Sequence, residues 1–325
     1  MFSSTRIDVL TPSWFAQYGT MLAVLLMDQN ERARITLIIV QANAQLRAPL
    51  QHALRGTAAR MVVTDTVASA EAALRDLPPG ARAVVAGGDG TLQHLLPTVL
   101  SQRLELALLP CGTGNDTARS FGLHGLPWTE ALARALAAPA WPTDVGEAAH
   151  AHGTTPFISS LCVGFDAAVC ERALQSPRWL RGKPRYLWAT LAEIAALQPR
   201  QVRVLVDGRL SFEGPALFVS TLNTPTYGSG MPACPAARRD DGHLNHLLAG
   251  QFGRLGALAM MPLLLCGQHL RHRRVRTGPC DTVQIESTAP LPLAADGEPL
   301  LASKHITVRV RPGALPAVRL RALAP

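Results

Sequence analysis

Apolar residues in the first part of the chain form short runs, and stretches with a helical pattern separate these runs. The runs lie at residues 35–40, 61–64, 83–86 and 104–109. The helical patterns lie at residues 46–54, 68–77 and 128–138. Short apolar runs rich in Val, Ile and Leu are typical of buried strands. Their alternation with helices predicts an α/β domain with a doubly wound parallel sheet, and a ligand site at the carboxyl ends of its strands.

The pattern changes near residue 143. From there on, short apolar segments alternate with turn residues, which predicts a mostly β, sandwich-like domain. The segments lie at residues 157–163, 202–206, 216–222, 282–285, 306–310 and 317–320, with helical stretches near 186–197 and 253–270. We therefore expect an N-terminal extension over residues 1–34, an α/β domain over 35–143 and a β-rich domain over 144–325.

Composition narrows the class of protein but does not select a function. The chain has 325 residues and 48% hydrophobic residues, which is enough for two globular domains. A net charge of +8 suits nucleotide, anionic lipid or nucleic acid equally well. Six scattered cysteines without a Cys-x-x-Cys pair predict reduced thiols in the cytosol. An apolar run at residues 14–27 is shorter than the about 20 residues that a membrane span needs. We favour a poorly ordered extension there over the alternative, an interfacial helix that meets a membrane.

Two glycine-rich turns follow the third and fourth predicted strands. Residues 84–92 read Val-Val-Ala-Gly-Gly-Asp-Gly-Thr-Leu, and residues 112–116 read Gly-Thr-Gly-Asn-Asp. A strand, a glycine turn and a helix present free backbone N–H groups to a phosphate. Asp89 would repel that phosphate unless a cation lay between them or the carboxylate acted on a hydroxyl proton. The first turn therefore indicates metal-assisted phosphoryl transfer; the alternative, a purely structural Asp-Gly turn, is disfavoured by the second turn with Asp116.

An ordered set of motifs resembles the diacylglycerol kinase catalytic domain family, which includes bacterial soluble lipid kinases and sphingosine kinases. The motifs run from about residue 35 to the end of the chain. They are Gly87-Gly88-Asp89-Gly90-Thr91, Gly112-Thr113-Gly114-Asn115-Asp116, Asp144-Val145-Gly146, Val163-Gly164-Phe165-Asp166-Ala167, Gly182-Lys183-Pro184-Arg185-Tyr186, residues 223–231, Asp240-Asp241-Gly242-His243-Leu244 and Asp296-Gly297-Glu298.

The resemblance implies ATP-dependent phosphorylation of a lipid hydroxyl. It implies a nucleotide-binding catalytic domain with an NAD kinase-like fold over residues 35–143 and a lipid-substrate domain over 144–325, with ATP in the cleft between them. The implied nucleotide contacts are Thr64, Gly87, Gly88, Asp89, Gly90, Thr91, Gly112, Thr113 and Asn115.

The resemblance also implies magnesium and a carboxylate base. A carboxylate–water–magnesium network would include Asp89, Asp116 and Asp144. A structural magnesium would be held by Asp241, with the backbone carbonyls of Arg238 and His243; such oxygen ligands suit this ion. The base would be Glu298 or Asp296, which face the same way if they lie two apart on a strand, and the resemblance favours Glu298.

Two departures from the family pattern keep other functions open. The first strand runs into Gln41-Ala42-Asn43-Ala44, where the family has a nucleotide-binding turn with proline and glycine. Ser229 occupies a position where the family usually has glycine. The first departure leaves open a nucleotide-binding regulator without catalysis. A kinase of a soluble substrate such as NAD is the other alternative, because NAD kinases share the Gly-Gly-Asp-Gly-Thr turn.

An apolar stretch at residues 255–266 precedes a basic cluster at residues 269–276. Together they suit peripheral docking on the anionic inner membrane, where each basic residue contributes about 1 kcal/mol. The alternative is a core helix followed by a solvated loop. No aromatic residue interleaves the arginines, so we do not expect nucleic-acid binding. The identity of the lipid and the oligomeric state stay open at this point.

Overall fold

The computed structural model describes residues 36–41, 44–112, 114–177, 179–180 and 182–320. The predicted extension over residues 1–34 lies outside the described residues, as does Thr113. The two middle residues of the atypical loop after the first strand, Ala42 and Asn43, lie outside them too.

The first part of the fold is a parallel α/β sheet. Its strands are β1 (Thr36–Gln41), β2 (Arg60–Thr64), β3 (Arg82–Gly87) and β4 (Glu105–Pro110). Its helices are α1 (Ala44–Ala53), α2 (Val67–Arg75), α3 (Asp89–Ser101), α4 (Asp116–Ser120) and α5 (Trp128–Ala137). The strands pair in parallel in the order β2-β1-β3-β4.

Both faces of this sheet are covered because alternate residues of a strand point to opposite sides. In β3, Val85 packs in the cluster that contains the apolar residues of α2 and α3. Its neighbours Val84 and Ala86 pack in the cluster that contains those of α1 and α5. The doubly wound sheet predicted from the sequence is confirmed.

The second part is mostly β, as predicted. Its strands are β5 (Ala140–His150), β6 (Gly153–Phe157), β7 (Ser160–Gly164), β8 (Arg200–Val206), β9 (Arg209–Leu222), β10 (Leu244–Gly250), β11 (Val275–Cys280), β12 (Thr282–Ala295) and β13 (Glu298–Val318). Its helices are α6 (Phe165–Leu174), α7 (Lys183–Ala195) and α8 (Arg254–Leu265), followed by a 3-10 turn over His269–Arg271. Helix α6 follows directly on β7 and was not predicted.

Strand β13 joins the two parts. It pairs antiparallel with β12 and β5, and Ala317 bridges in parallel to Leu106 of β4. The sequence suggested two separate segments at 306–310 and 317–320, but residues 306–318 belong to one strand with an irregularity between Arg311 and Leu315. The return of the chain to β4 fixes the second part against the first.

All six cysteines are free thiols, as the sequence predicted. Within the described ranges, no helix is both long enough and apolar enough to cross a bilayer.

Candidate active site

The two glycine turns lie against each other at the carboxyl ends of β3 and β4. The N–H of Cys111 donates to the carbonyl of Gly87 at 3.0 Å, which keeps the strands paired up to the turns. A Cβ added to Gly112 would lie only 2.6 Å from the Cα of Gly88. Backbone therefore packs directly on backbone at this point, and a side chain on Gly112 would force the turns apart.

Asp89 is the first residue of α3, and its carboxylate holds the start of α4. Its two oxygens accept the N–H of Asp116 at 2.9 Å and the N–H of Thr117 at 3.1 Å. A helix N-terminus has unpaired N–H groups that a carboxylate stabilises. Asp89 thus connects the first glycine turn to the helix that follows the second.

Asp116 extends this connection into the β-rich part. Its carboxylate accepts the N–H of Ser229 at 2.7 Å and the N–H of Gly230 at 2.8 Å. Burial raises the pKa of Asp116, and the charge of Asp89 raises it further, while the two N–H donors lower it. Ser229 has a φ of 69°, which is in the left-handed region. The backbone there turns both N–H groups toward one carboxylate.

Asp144 makes a separate set of contacts. Its carboxylate is buried and accepts the N–H of Gly242 at 2.8 Å and the N–H of Gly313 at 2.7 Å. The side-chain amide of Asn223 donates to the Asp144 carbonyl at 2.8 Å. Asp144 therefore binds the loop before β10 and the irregular part of β13.

Asp296 has its carboxylate occupied by three backbone donors. It accepts the N–H of Ile158 at 2.8 Å, of Ser159 at 2.7 Å and of Ser160 at 2.9 Å. Burial raises the pKa of Asp296 to about 7, against the effect of these donors, and the charge of Asp89 adds to the rise. Its φ of 48° is in the left-handed region of the turn between β12 and β13, so the expectation that Asp296 and Glu298 lie two apart on one strand was wrong.

Glu298, the first residue of β13, has its carboxylate against the N-terminus of α3. A Cβ on Gly90 would lie 2.2 Å from the Oε1 atom of Glu298, so glycine is required for this close approach. No described residue forms a hydrogen bond or an ion pair with the Glu298 carboxylate. Burial raises the pKa of Cys170 in α6 to about 12 and also raises the pKa of Tyr186 in α7, and the charge of Glu298 adds a little to both rises. Helix α6 packs on β13, so the Glu298 carboxylate lies at the glycine turns, on the strand that α6 contacts.

The other predicted nucleotide contacts lie around the same turns. Thr64 ends β2, and its hydroxyl is buried without a hydrogen-bond partner among the described residues. Asn115 has a φ of 53°, and its amide donates to the Gly112 carbonyl at 2.6 Å. Thr91 packs against Gly87 in the first turn of α3. An unpaired buried hydroxyl can bond a ligand, although the hydroxyls of Thr117 and Thr221 are unpaired among the described residues as well.

The predicted structural metal position lies in the loop before β10. One oxygen of Asp241 accepts the N–H of His243 at 3.1 Å. The His243 ring contacts Asp281 at 2.6 Å, and this contact raises the pKa of His243. Arg238 faces Asp240 at 3.9 Å. Among the described residues, no group of three or more His, Cys, Asp or Glu side chains could hold a metal ion. A metal ion at Asp241 would therefore need backbone carbonyls or water as further ligands.

The carboxylates of Asp89 and Asp116 keep oxygen lone pairs of the kind that suit magnesium or its bound water. Each oxygen of Asp89 and Asp116 accepts one backbone N–H. A carboxylate has about four lone-pair sites, so each side chain can still accept water molecules. Asp144 is bound by a different pair of loops, and the described contacts do not join it to the other two carboxylates.

Sequence reasoning missed the groups that hold these carboxylates. They are backbone N–H groups of Ile158, Ser159, Ser160, Ser229, Gly230, Gly242 and Gly313. A backbone donor leaves no side-chain signal in a sequence. A partial signal did exist for Asp166, which accepts a hydrogen bond from the hydroxyl of Tyr227 at 2.9 Å. Both residues lie in the quoted motifs.

Comparison with known proteins gives matches over both parts of the chain. The family model of the diacylglycerol kinase catalytic domain matches residues 41–148. The model of the YegS C-terminal NAD kinase beta sandwich-like domain matches residues 159–319. A "Diacylglycerol kinase" of Mycobacterium tuberculosis is 32% identical over 219 residues, which cover 66% of this chain and 69% of that protein. The chain belongs to the diacylglycerol kinase catalytic domain family.

Further relatives of this lipid kinase family cover almost the whole chain. A Pseudomonas aeruginosa protein named "Probable lipid kinase YegS-like" is 31% identical over 300 residues, which cover 90% of this chain and 92% of the relative. A solved structure of a candidate diacylglycerol kinase from Bacillus anthracis has a TM-score of 0.68 and 21% identity, and the match covers 89% of this chain and 99% of that one. That likeness shows the shared fold. The family and the fold class predicted from the sequence are both confirmed.

Proposed function

We propose that the protein is an ATP- and magnesium-dependent lipid kinase in which Glu298 is the catalytic base. One observation carries the choice of base. Asp296 accepts three backbone N–H groups, whereas the Glu298 carboxylate has no hydrogen-bond partner among the described residues. A base needs a lone pair directed at the hydroxyl whose proton it takes. Of the two carboxylates in the Asp-Gly-Glu motif, Glu298 meets this requirement.

The glycine turns support the nucleotide part of the proposal. Gly88 and Gly112 bring two backbone segments into contact at the N-terminus of α3, a 13-residue helix. N–H groups at such a helix start favour phosphate. The buried Thr64 hydroxyl adds a hydrogen-bonding group without a described partner at the end of the neighbouring strand β2.

The proposed reaction is a direct transfer. The acceptor oxygen forms a bond to the γ-phosphorus of ATP while the bond between that phosphorus and the β,γ-bridging oxygen breaks. Glu298 takes the hydroxyl proton, and ADP leaves with the bridging oxygen. Asp296 acts as a positioning residue, because its contacts with Ser159 and Ser160 fix the turn from which Glu298 projects.

Magnesium would be held near the paired carboxylates of Asp89 and Asp116, with water between them, and a structural ion near Asp241. When bound with ATP, magnesium neutralises charge on the phosphate oxygens during transfer. The protein groups orient these carboxylates through backbone N–H donors whether or not the ion is present.

The proposed acceptor is the hydroxyl of a diacylglycerol-like or sphingoid lipid, reached at the cytoplasmic face of the inner membrane. The names of the relatives support a lipid acceptor. Two other readings stay testable: a kinase of a soluble substrate such as NAD, and a nucleotide-binding regulator without catalysis.

The test is transfer from labelled ATP, with magnesium, to diacylglycerol, to a sphingoid base and to NAD in separate reactions. We expect label in a lipid, and a fall of about 100-fold or more in kcat for Glu298→Gln with ATP affinity unchanged. Glu286→Gln, on the surface of β12, is the matched control and should retain activity. Label in NAD alone would show a soluble substrate. ATP binding without transfer to any acceptor would show a regulator.

A further inference from the structure

Helices α6, α7 and α8 pack side by side and cover one face of the β-rich part. Their inner sides are apolar and buried. Ala167 of α6, Ile194 of α7 and Ala257 of α8 belong to one core cluster with Phe218 of β9 and Leu247 of β10. This contact accounts for one side of each helix and leaves the opposite side facing outward.

The outward sides of α7 and α8 are also apolar, and exposed Trp179 lies in the loop before α7. We call the following residues the outer apolar face: Trp179, Leu187, Trp188, Leu191, Leu255 and Leu258. Trp179 is 79% exposed and Leu255 is 84% exposed. Helix α8 has no charged residue after Arg254. A helix with one side in the core normally has polar residues on the other, and a contiguous exposed apolar patch marks an interaction surface.

Cationic residues adjoin the outer apolar face on its α8 side, while on the α6 side Glu171 is exposed and Glu193 of α7 forms an ion pair with Arg172. Residues 254–280 contain five arginines and no Asp or Glu. Arg274 and Arg276 lie over the rings of Phe252 and Phe212. Arg271 and Arg273 are exposed, and no described acidic side chain forms an ion pair with either. Apolar residues next to uncompensated arginines match the acyl chains and phosphate groups of an anionic bilayer.

The same helical layer borders the proposed base. Helix α6 packs on β13, the strand that begins with Glu298, and on α7, which contains Tyr186. Tyr186 is directly followed by Leu187 and Trp188 of the outer apolar face. A lipid that left a bilayer at this face would therefore enter beside α6, next to the strand that begins with Glu298.

We propose that the outer apolar face is a docking surface for an anionic lipid bilayer, with its leucines and tryptophans at the acyl boundary and Arg271 and Arg273 at the headgroups. No described helix can cross a bilayer, so the docking is interfacial. The direction of lipid entry rests on the proposed kinase function. The docking itself does not, because it needs neither ATP nor transfer.

The test is co-sedimentation of the full chain, without ATP, with vesicles of phosphatidylcholine alone or mixed with phosphatidylglycerol. We expect binding to the anionic vesicles and a loss of about tenfold for each of Leu187→Gln and Leu255→Gln. Arg271→Gln and Arg273→Gln should each weaken binding to the anionic vesicles about fivefold. Leu210→Gln is the matched control, because Leu210 is 54% exposed and Leu187 is 57% exposed, but Leu210 lies after the β8–β9 turn.

Three results would overturn the docking surface. The chain could sediment equally with both kinds of vesicle, or Leu187→Gln and Leu210→Gln could lose binding equally. Alternatively, the variants of the outer apolar face could change oligomeric state on light scattering while their vesicle binding stays intact. The last would show that a second copy covers the face. Failure of the kinase proposal would look different. The Leu187→Gln/Leu255→Gln double variant should phosphorylate a short-chain, water-soluble acceptor as fast as the unchanged protein, whereas a protein that is not a kinase would modify no acceptor yet could still bind vesicles.

Discussion

The carboxylate of Asp89 accepts the backbone N–H of Asp116 at 2.9 Å, and Asp116 in turn binds the loop at Ser229 and Gly230. Two acidic residues therefore connect the first glycine turn, the second glycine turn and the β-rich part in one chain of hydrogen bonds. Asp144 and Asp296 hold other loops in the same way. The acidic residues of the site therefore hold loops in place by accepting backbone N–H groups, and they are also candidate partners of magnesium-bound water.

Asp116→Asn tests this connection. An asparagine offers one oxygen where the aspartate offers two, so one N–H of Ser229 or Gly230 loses its acceptor. We expect the free energy of unfolding to fall by about 1–3 kcal/mol, measured by urea denaturation. Hydrogen exchange of residues 228–230 should become faster in the same variant. Asp65→Asn is the control, because its side chain is 87% exposed and forms only a surface contact.

Substitutions of Asp296 and Glu298 should affect different properties, the first the stability of the fold and the second the rate of transfer. Asp296→Asn removes an acceptor from the three donors at residues 158–160, so the free energy of unfolding should fall by about 1–3 kcal/mol. Glu298→Gln removes no hydrogen bond with a described residue and should change stability by less than about 0.5 kcal/mol, while transfer is lost. If Glu298→Gln destabilised the fold as much as Asp296→Asn, the assignment of Glu298 as the base would lose its support.

Gly90→Ala should inactivate the enzyme without unfolding it. The new Cβ would lie 2.2 Å from the Glu298 Oε1 atom, and the long glutamate side chain can move aside at little cost to the fold. Displacing the base should lower kcat about 100-fold, with thermal stability near that of the unchanged protein. Gly253→Ala is the control, because a Cβ there meets no atom within 4 Å and the φ is −79°. Equal kcat values for both variants would contradict the placement of Glu298.

The sequence was sufficient for the doubly wound sheet because strands such as β3 are short, apolar and followed by turn residues. It also predicted that Asp89 and Asp116 lie near each other, because each belongs to a glycine turn and these turns follow neighbouring strands. It could not show that Asp116 binds Ser229, because that contact depends on a left-handed backbone in a distant loop. It could not separate Asp296 from Glu298 either, because the deciding donors are backbone N–H groups of residues 158–160.

Thr64→Val tests the nucleotide position on β2. The Thr64 hydroxyl is buried and has no described partner, and valine has nearly the same shape without the hydroxyl. We expect the ligand-free protein to keep or gain stability, because an unsatisfied buried polar group is removed. ATP affinity should fall about fivefold to tenfold, the effect of one lost hydrogen bond, measured by calorimetry. Thr57→Val, in the turn before β2, is a control in which the hydroxyl has a partner at 2.8 Å and ATP affinity should not change.

Asp166 should make stability depend on pH. Burial raises its pKa to about 6, and hydrogen bonds from Tyr227 and Ser220 lower it in part. The folded state therefore holds the proton more tightly than the unfolded state does. The resulting stabilisation is complete below the ordinary aspartate pKa near 4 and is lost as the pH rises through about 6.

Asp166→Asn keeps an oxygen that can accept the Tyr227 hydroxyl but cannot ionise. Urea denaturation should therefore show similar stability for both proteins at pH 4 and a more stable variant at pH 8, by up to about 3 kcal/mol. Tyr227→Phe is the companion variant. It removes a donor that lowers the pKa of Asp166. The stability of this variant should therefore go on falling to a higher pH than the stability of the unchanged protein does. Parallel stability curves for the unchanged protein and Asp166→Asn from pH 4 to pH 8 would show that Asp166 does not titrate in this range.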